Sequence, residues 1–331
     1  MNLTDLFDTA TTIVADGKGI LAADESTPTI KKRFDSINVE STETNRQTYR
    51  SMLFTTAGVG DFISGVILFD ETIRQQATDN RSMVEVIKDA GMVPGIKVDK
   101  GAKPLANRPN ETVTEGLDGL RDRCSEYFDL GARFAKWRAV IRIGEGMPSQ
   151  NCIATNAHAL ARYAILCQET GLVPIVEPEV LMDGNHDIDT CDSVTEAMLR
   201  AVYKELYHQG VKLEGTLLKP NMVLSGNTCP QQAGIDEVAE RTVACLKCSV
   251  PAAVPGIVFL SGGQSDEDAT RHLNSMNKGT SNLPWKLSFS YGRALQAAPL
   301  KAWAGTNVKQ AQQVFYNRAK ANGAACQGIY E

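Results

Sequence analysis

The segment Leu213-Glu214-Gly215-Thr216-Leu217-Leu218-Lys219-Pro220-Asn221 reads as a short apolar strand that ends on a lysine and halts at a proline. A lysine fixed there among apolar neighbours is poorly solvated. Desolvation disfavours its charged form, and only the neutral amine attacks a carbonyl. A surface lysine at a strand end would look the same in this segment alone. The rest of the chain separates the two readings, because other apolar runs also end on reactive side chains. Asp24-Glu25-Ser26 follows one run and Lys97 with Asp99 closes another. Lys136-Trp137-Arg138, Glu177-Pro178-Glu179, Ser261-Gly262-Gly263 and Ser290-Tyr291-Gly292-Arg293 follow in turn.

These types suit covalent amine chemistry. A neutral Lys219 amine adds to a ketone to give a carbinolamine, whose dehydration needs an acid, and Glu177 can donate that proton. Lys136, a second cation nearby, would favour the neutral form of Lys219 by repulsion. Asp24 can take a hydroxyl proton while a carbon–carbon bond breaks. The protonated imine is then the electron sink, so neither a metal nor an organic cofactor is expected. Ser261-Gly262-Gly263 and Gly292-Arg293 combine exposed backbone N–H groups with a guanidinium, which suits a phosphate. Ser26, Thr29 and Arg33, with Arg46 and Lys97, are candidates for a second phosphate across the mouth.

Rigid elements must hold such groups together. Eight segments read as strands: 19–23, 64–69, 95–98, 134–140, 172–177, 215–219, 256–260 and 286–290. Several are continuous apolar runs, as expected of parallel strands covered on both faces. Helical spacing separates many of them, at 114–130, 151–170, 193–209, 235–248 and 266–277. Thr112 or Thr114 is a candidate cap for the first, and Ser265 with Asp268 resembles a capping box for the last. Eight strand-helix units predict an α/β fold, a single-domain (β/α)8 TIM barrel over 1–331, with its active site at the C-terminal strand ends. No Gly-x-Gly-x-x-Gly turn follows the first strand, which argues against a dinucleotide-binding sheet. Side chains alternate along a strand, so Lys136 and Arg138 share a face, as do Glu177 and Glu179. Charges aimed into a barrel are costly unless paired or used on a ligand.

Composition narrows the partners. The 331 residues are 43% hydrophobic and 22% charged, with a net charge of −5. That balance disfavours nucleic-acid or anionic-membrane surfaces, so an anionic ligand needs a local cation cluster. The acidic start, residues 1–8, does not read as a signal or transit peptide, and the apolar runs are too short to span a bilayer. Eight scattered cysteines suggest reduced thiols in a cytoplasm. Cys245-Leu246-Lys247-Cys248 has C-x-x-C spacing but falls in an apparent helix without a second ligand pair. His158, His186, His208 and His272 form no pair at metal-ligand spacing, so no metal site is expected.

From about Gly17 to Tyr330 the chain resembles the class I (Schiff-base) fructose-1,6-bisphosphate aldolases. The resemblance is carried by Gly19-Ile20-Leu21-Ala22-Ala23-Asp24-Glu25-Ser26-Thr27, Gly95-Ile96-Lys97-Val98-Asp99-Lys100-Gly101 and Ala135-Lys136-Trp137-Arg138. Val173-Pro174-Ile175-Val176-Glu177-Pro178-Glu179, the Lys219 segment, Leu260-Ser261-Gly262-Gly263-Gln264-Ser265 and Ser288-Phe289-Ser290-Tyr291-Gly292-Arg293 complete it. It implies Lys219 as nucleophile, Glu177 as acid/base partner, and catalytic or orienting roles for Asp24, Lys136 and Glu179. It implies a C1-side phosphate against Ser261, Gly262, Gly292 and Arg293, with Ser290 also binding substrate. The other end of the sugar would meet Ser26, Arg33, Arg46, Lys97 and Arg138. A phosphorylated sugar substrate, a homotetramer and a cytoplasmic (or plastidic) location are further implications.

Pro28-Thr29 stands where animal members have glycine and serine, so contacts to the second phosphate are expected to differ there. The animal members end in a tail tyrosine that reaches the active site. Tyr330 lies too early to match it, and Glu177 or Glu179 acting through water is then the expected proton source for the enamine. Two alternatives stay open at this point: the same chemistry serving mainly sedoheptulose-1,7-bisphosphate, and a non-catalytic sugar-phosphate-binding scaffold. The set Asp24, Lys136, Glu177 and Lys219 speaks against the scaffold.

Overall fold

The structure is a computed structural model that describes residues 3–279 and 282–331. Of the amino-terminal stretch read above for a leader, Met1 and Asn2 lie outside the described residues. Eight parallel strands close a barrel: β1 Gly19–Ala23, β2 Ile63–Leu68, β3 Val93–Lys97, β4 Phe134–Ile141, β5 Val173–Val180, β6 Leu217–Leu218, β7 Gly256–Phe259 and β8 Lys286–Tyr291. Each strand neighbours the next in chain order, and β8 returns to β1 through Ile20 opposite Ser290.

Helix α1 Leu3–Ile13 precedes the barrel. After β1 and β2 come α2 Thr27–Asp35, α3 Glu43–Phe54, α4 Asp70–Ile73 and α5 Met83–Asp89. One main helix follows each of the next five strands: α6 Leu120–Asp129, α7 Gln150–Thr170, α8 Ile188–His208, α9 Ile235–Ser249 and α10 Asp266–Gly279. After β8 come α11 Arg293–Trp303 and α12 Val308–Ala325.

Strand alternation builds two cores. On β4, Ala135, Trp137, Ala139 and Ile141 face outward and pack under the helices, while Phe134 and Lys136 face the barrel interior. Phe134, Val173, Ile175, Leu217 and Val258 form an apolar floor, closed from below by Leu6, Ala10 and Ile13 of α1. The Phe134 ring needs Gly95 opposite it, because a Cβ there would lie 2.3 Å from the ring. One step up each strand the interior turns polar: Lys136 follows Phe134, Glu177 follows Ile175 and Lys219 follows Leu217. The apolar floor therefore carries a charged upper layer.

Three local expectations need correction. Thr112 and Thr114 are not helix caps. They belong to the strand Thr112–Thr114, which pairs antiparallel with Ala102–Pro104, and the Thr114 hydroxyl donates to the Arg138 carbonyl at 2.7 Å. β-branched Thr-Val-Thr suits a strand as well as a cap, and α6 begins only after Gly119, at φ 64°. The sixth strand is shorter than 215–219, because a 3-10 turn occupies Leu213–Gly215, although the Lys219 N–H still donates to the Val176 carbonyl at 2.8 Å. The fifth runs on to Val180, which keeps Glu179 on the sheet. Ser265 does cap α10, accepting from the Asp268 N–H at 3.0 Å.

Candidate active site

A cavity of about 1240 Å³ opens at the C-terminal ends of the strands. The residues nominated from the sequence line it, except Gly263, whose N–H donates to Met182 Sδ at 3.1 Å, and Arg46. The Arg46 guanidinium is instead held by Glu71, with Nε donating at 2.9 Å, and by the Ser41 carbonyl. A carboxylate at the start of α4 captures this cation and removes it from the cavity.

The centre is a compact charge cluster. Lys219 Nζ lies 3.2 Å from Glu177 Oε1, and both side chains are about 95% buried. Lys136 Nζ lies 2.8 Å from Asp24 Oδ2, 3.4 Å from Glu177 Oε2 and 3.9 Å from Asp99 Oδ2. Burial works to lower the Lys136 pKa, but Asp24, Glu177 and Asp99 outweigh it and hold the ammonium well above the usual lysine range. Burial likewise works to raise the Asp24 pKa. Lys136, Lys219 and Lys97 outweigh it, so Asp24 stays a carboxylate far below the usual range. The Lys136 charge is thus largely compensated by three carboxylates, a feature that its strand position alone does not reveal. Glu177 Oε2 is buried without a hydrogen-bond donor, which leaves an acceptor or protonation site aimed at the same space.

Around this centre, Lys97 donates to Asp99 Oδ1 at 2.6 Å, and the Gly101 N–H donates to the same oxygen at 3.1 Å. Arg138 pairs with Glu179. Ser26 and Thr29, at the start of α2, hold hydroxyls 3.1 Å apart. Ser290 Oγ is buried in the wall without a protein partner, so it is free to bond a ligand. Arg33 pairs with buried Glu25, and its guanidinium approaches 3.5 Å from where a Cβ on Gly292 would stand. Burial and then repulsion from Arg33 lower the Arg293 pKa. The resemblance implies Arg33 at the other end of the sugar; in the structure its guanidinium stands beside Gly292, next to Arg293 in the chain.

Glu25, named from the sequence only as part of the Asp24-Glu25-Ser26 strand end, also lines the cavity. It follows Asp24 directly, so alternation turns it away from the barrel centre. There it accepts from Arg33 and from Gln296 Nε2 at 2.8 Å. A carboxylate adjacent to the inward one was the available signal. Tyr330 lies outside this cavity, its hydroxyl donating to Glu267 at 3.0 Å. Among the described residues, no three His, Cys, Asp or Glu side chains are grouped to hold a metal ion. No helix among them is long and apolar enough to cross a membrane.

A buried amine against a carboxylate, a carboxylate-bound second lysine and a cationic rim can form an imine and hold a phosphorylated carbonyl compound. The chain is similar over nearly its whole length to known proteins. The family model described as "Fructose-bisphosphate aldolase class-I" matches residues 5–331. The chain is 61% identical to a "Probable fructose-bisphosphate aldolase class 1" of Xanthomonas campestris pv. campestris, with all of both chains covered. It is 57% identical to "Fructose-bisphosphate aldolase 6, cytosolic" of Arabidopsis thaliana, covering 99% of this chain and 92% of that one. Among solved structures, the Plasmodium falciparum fructose-bisphosphate aldolase, in a ternary co-crystal with TRAP and a small-molecule inhibitor, superposes with a TM-score of 0.98 at 51% identity. That match covers 99% of this chain and 95% of the other.

Proposed function

The chain belongs to the class I fructose-bisphosphate aldolases, and we propose that it cleaves fructose-1,6-bisphosphate reversibly through an imine on Lys219. The observation that carries this reading is the 3.2 Å contact between Lys219 Nζ and Glu177 Oε1 in a buried pocket below a cationic rim. The neutral amine adds to the C2 ketone, giving a carbinolamine. Glu177 protonates its hydroxyl, water leaves and a protonated imine forms. Asp24, kept ionised by Lys136, takes the C4 hydroxyl proton as the C3–C4 bond breaks. Glyceraldehyde-3-phosphate departs while the bonding electrons pass into the imine as an enamine. Protonation at C3 and hydrolysis then release dihydroxyacetone phosphate and the free amine. Glu179 orients Arg138, and Ser261, Gly262, Ser290, Gly292 and Arg293 hold the C1 phosphate. Ser26, Thr29, Lys97 and Arg138 face the other end of the sugar.

The whole chain works as one barrel unit in a cytoplasmic homotetramer, in the glycolytic or gluconeogenic direction. Its net charge, the cytosolic relative and the family itself support this assignment. Steady-state cleavage of fructose-1,6-bisphosphate, measured in competition with sedoheptulose-1,7-bisphosphate, tests the substrate. The hexose is expected to have the higher kcat/KM. The reverse order would reassign the substrate, and no turnover of either would leave only a binding scaffold.

A further inference from the structure

Gln264 and His272 take no part in the chemistry above, yet they hold the loop that carries Ser261 and Gly262. The Ser261 carbonyl accepts two hydrogen bonds from Gln264, one from its backbone N–H and one from Nε2, each at 3.1 Å. The other end of that amide, Oε1, lies 2.7 Å from Nδ1 of His272, a buried side chain on α10. A carbonyl oxygen only accepts, so Gln264 must turn its NH2 group toward Ser261. Its own oxygen then faces the imidazole as an acceptor, which requires the His272 proton to sit on Nδ1. Burial pushes the His272 pKa down to about 4 against the opposing charge of Asp268, so the ring is neutral near pH 7 and the Nδ1 proton is a choice of tautomer.

The loop needs such support. Gly262 is held at φ +55°, in the left-handed region, at the point where the chain turns past the cavity. The contacts from Gln264 and His272 fasten the start of this turn to α10, whose own N-terminus is fixed by the Ser265 cap. We propose that Gln264 and His272 are positioning residues for the anion cradle: one imidazole tautomer sets the amide, the amide sets the Ser261 carbonyl, and the Ser261-Gly262 turn is thereby preorganised for phosphate. A turn ordered before binding spares the ligand the cost of ordering it. The proposal rests on reading Ser261 and Gly262 as part of a phosphate site.

The test uses the full chain and the variants Gln264→Leu, His272→Phe and His272→Asn. The last places an amide nitrogen where Nδ1 stands. KM and kcat for fructose-1,6-bisphosphate are measured beside the affinity for inorganic phosphate by calorimetry. Q264L and H272F are expected to raise KM and the phosphate Kd about tenfold, as for one lost hydrogen bond, while kcat stays within about threefold. H272N should recover most of the loss. Nitrogen-15 NMR of the unaltered protein should show His272 protonated on Nδ1. Unchanged phosphate affinity in Q264L, equal losses in H272N and H272F, or an Nε2–H tautomer would each overturn the proposal. The two readings fail differently. Wild-type protein that binds phosphate without cleaving sugar refutes the aldolase reading, and the variants' phosphate affinities still decide the positioning role. Wild-type protein without phosphate affinity removes the cradle and this inference with it.

Discussion

Asp24 and Lys136 hold opposite charges 2.8 Å apart inside the barrel, and their protonation is tied to folding. The Asp24 pKa is lowered below its unfolded value of 3.8, so its stabilisation is present above pH 3.8 and is lost as pH falls below it. The Lys136 pKa is raised above 10.5, so its share is present below that pH and is lost as pH rises beyond it. Asp24→Asn should therefore be less stable than wild type in urea at pH 7, with a gap that shrinks below pH 3.8. A gap of constant size down to pH 2 would contradict the pairing. At the rim, Arg293→Ala should cost roughly 1.5–3 kcal/mol, or about ten- to a hundredfold in kcat/KM, on bisphosphorylated substrate. Unphosphorylated fructose analogues should lose far less, and equal losses would make Arg293 a support of the fold. Residue types at strand ends made most of this site readable. Arg46 was not readable, because the partner that withdraws it, Glu71, lies 25 positions along the chain and only packing brings the two together. The compensation of Lys136 by three carboxylates from different strands was hidden for the same reason.

Strand periodicity explains why the barrel floor is apolar and the layer above it charged. Phe134 and Lys136 are two residues apart on one face of β4, so one strand supplies both a packing ring and a reactive cation. The ring fits only because β3 offers Gly95. Gly95→Ala would drive a methyl to 2.3 Å from Phe134 and should destabilise the protein by about 1–3 kcal/mol. Phe134→Leu in the same chain should return part of that loss, as measured by a double-mutant cycle of urea midpoints. Strict additivity would show that the two side chains do not meet. The regular barrel strands and α7 to α10 were legible because their apolar spacing is long and repeated. The 112–114 strand was not. Three β-branched and apolar residues before a helical pattern fit a cap and a hairpin alike, and the decision comes from pairing with Ala102–Pro104.

Closure of the barrel gathers groups from Asp24 to Arg293 into one mouth, a convergence that strand order makes inevitable once eight parallel strands are read. The fold was accordingly legible at the level of architecture, while the approach of Arg33 to Gly292 was not, since it depends on the packing of α2 and on the pairing of Arg33 with Glu25. The proposed imine would serve as the electron sink, so the proposed mechanism calls for no Lewis acid. Turnover is expected to persist in excess EDTA, and its loss with recovery on added zinc would require a metal-assisted route. The central claim is the covalent one, and borohydride trapping addresses it most directly. The protein is incubated with dihydroxyacetone phosphate, reduced, digested and mapped by peptide mass. The account predicts one reduced adduct on the Lys219 peptide, its absence in Lys219→Ala, and a fall in turnover of several orders of magnitude in that variant. An adduct on another lysine, or full turnover without any adduct, would contradict it.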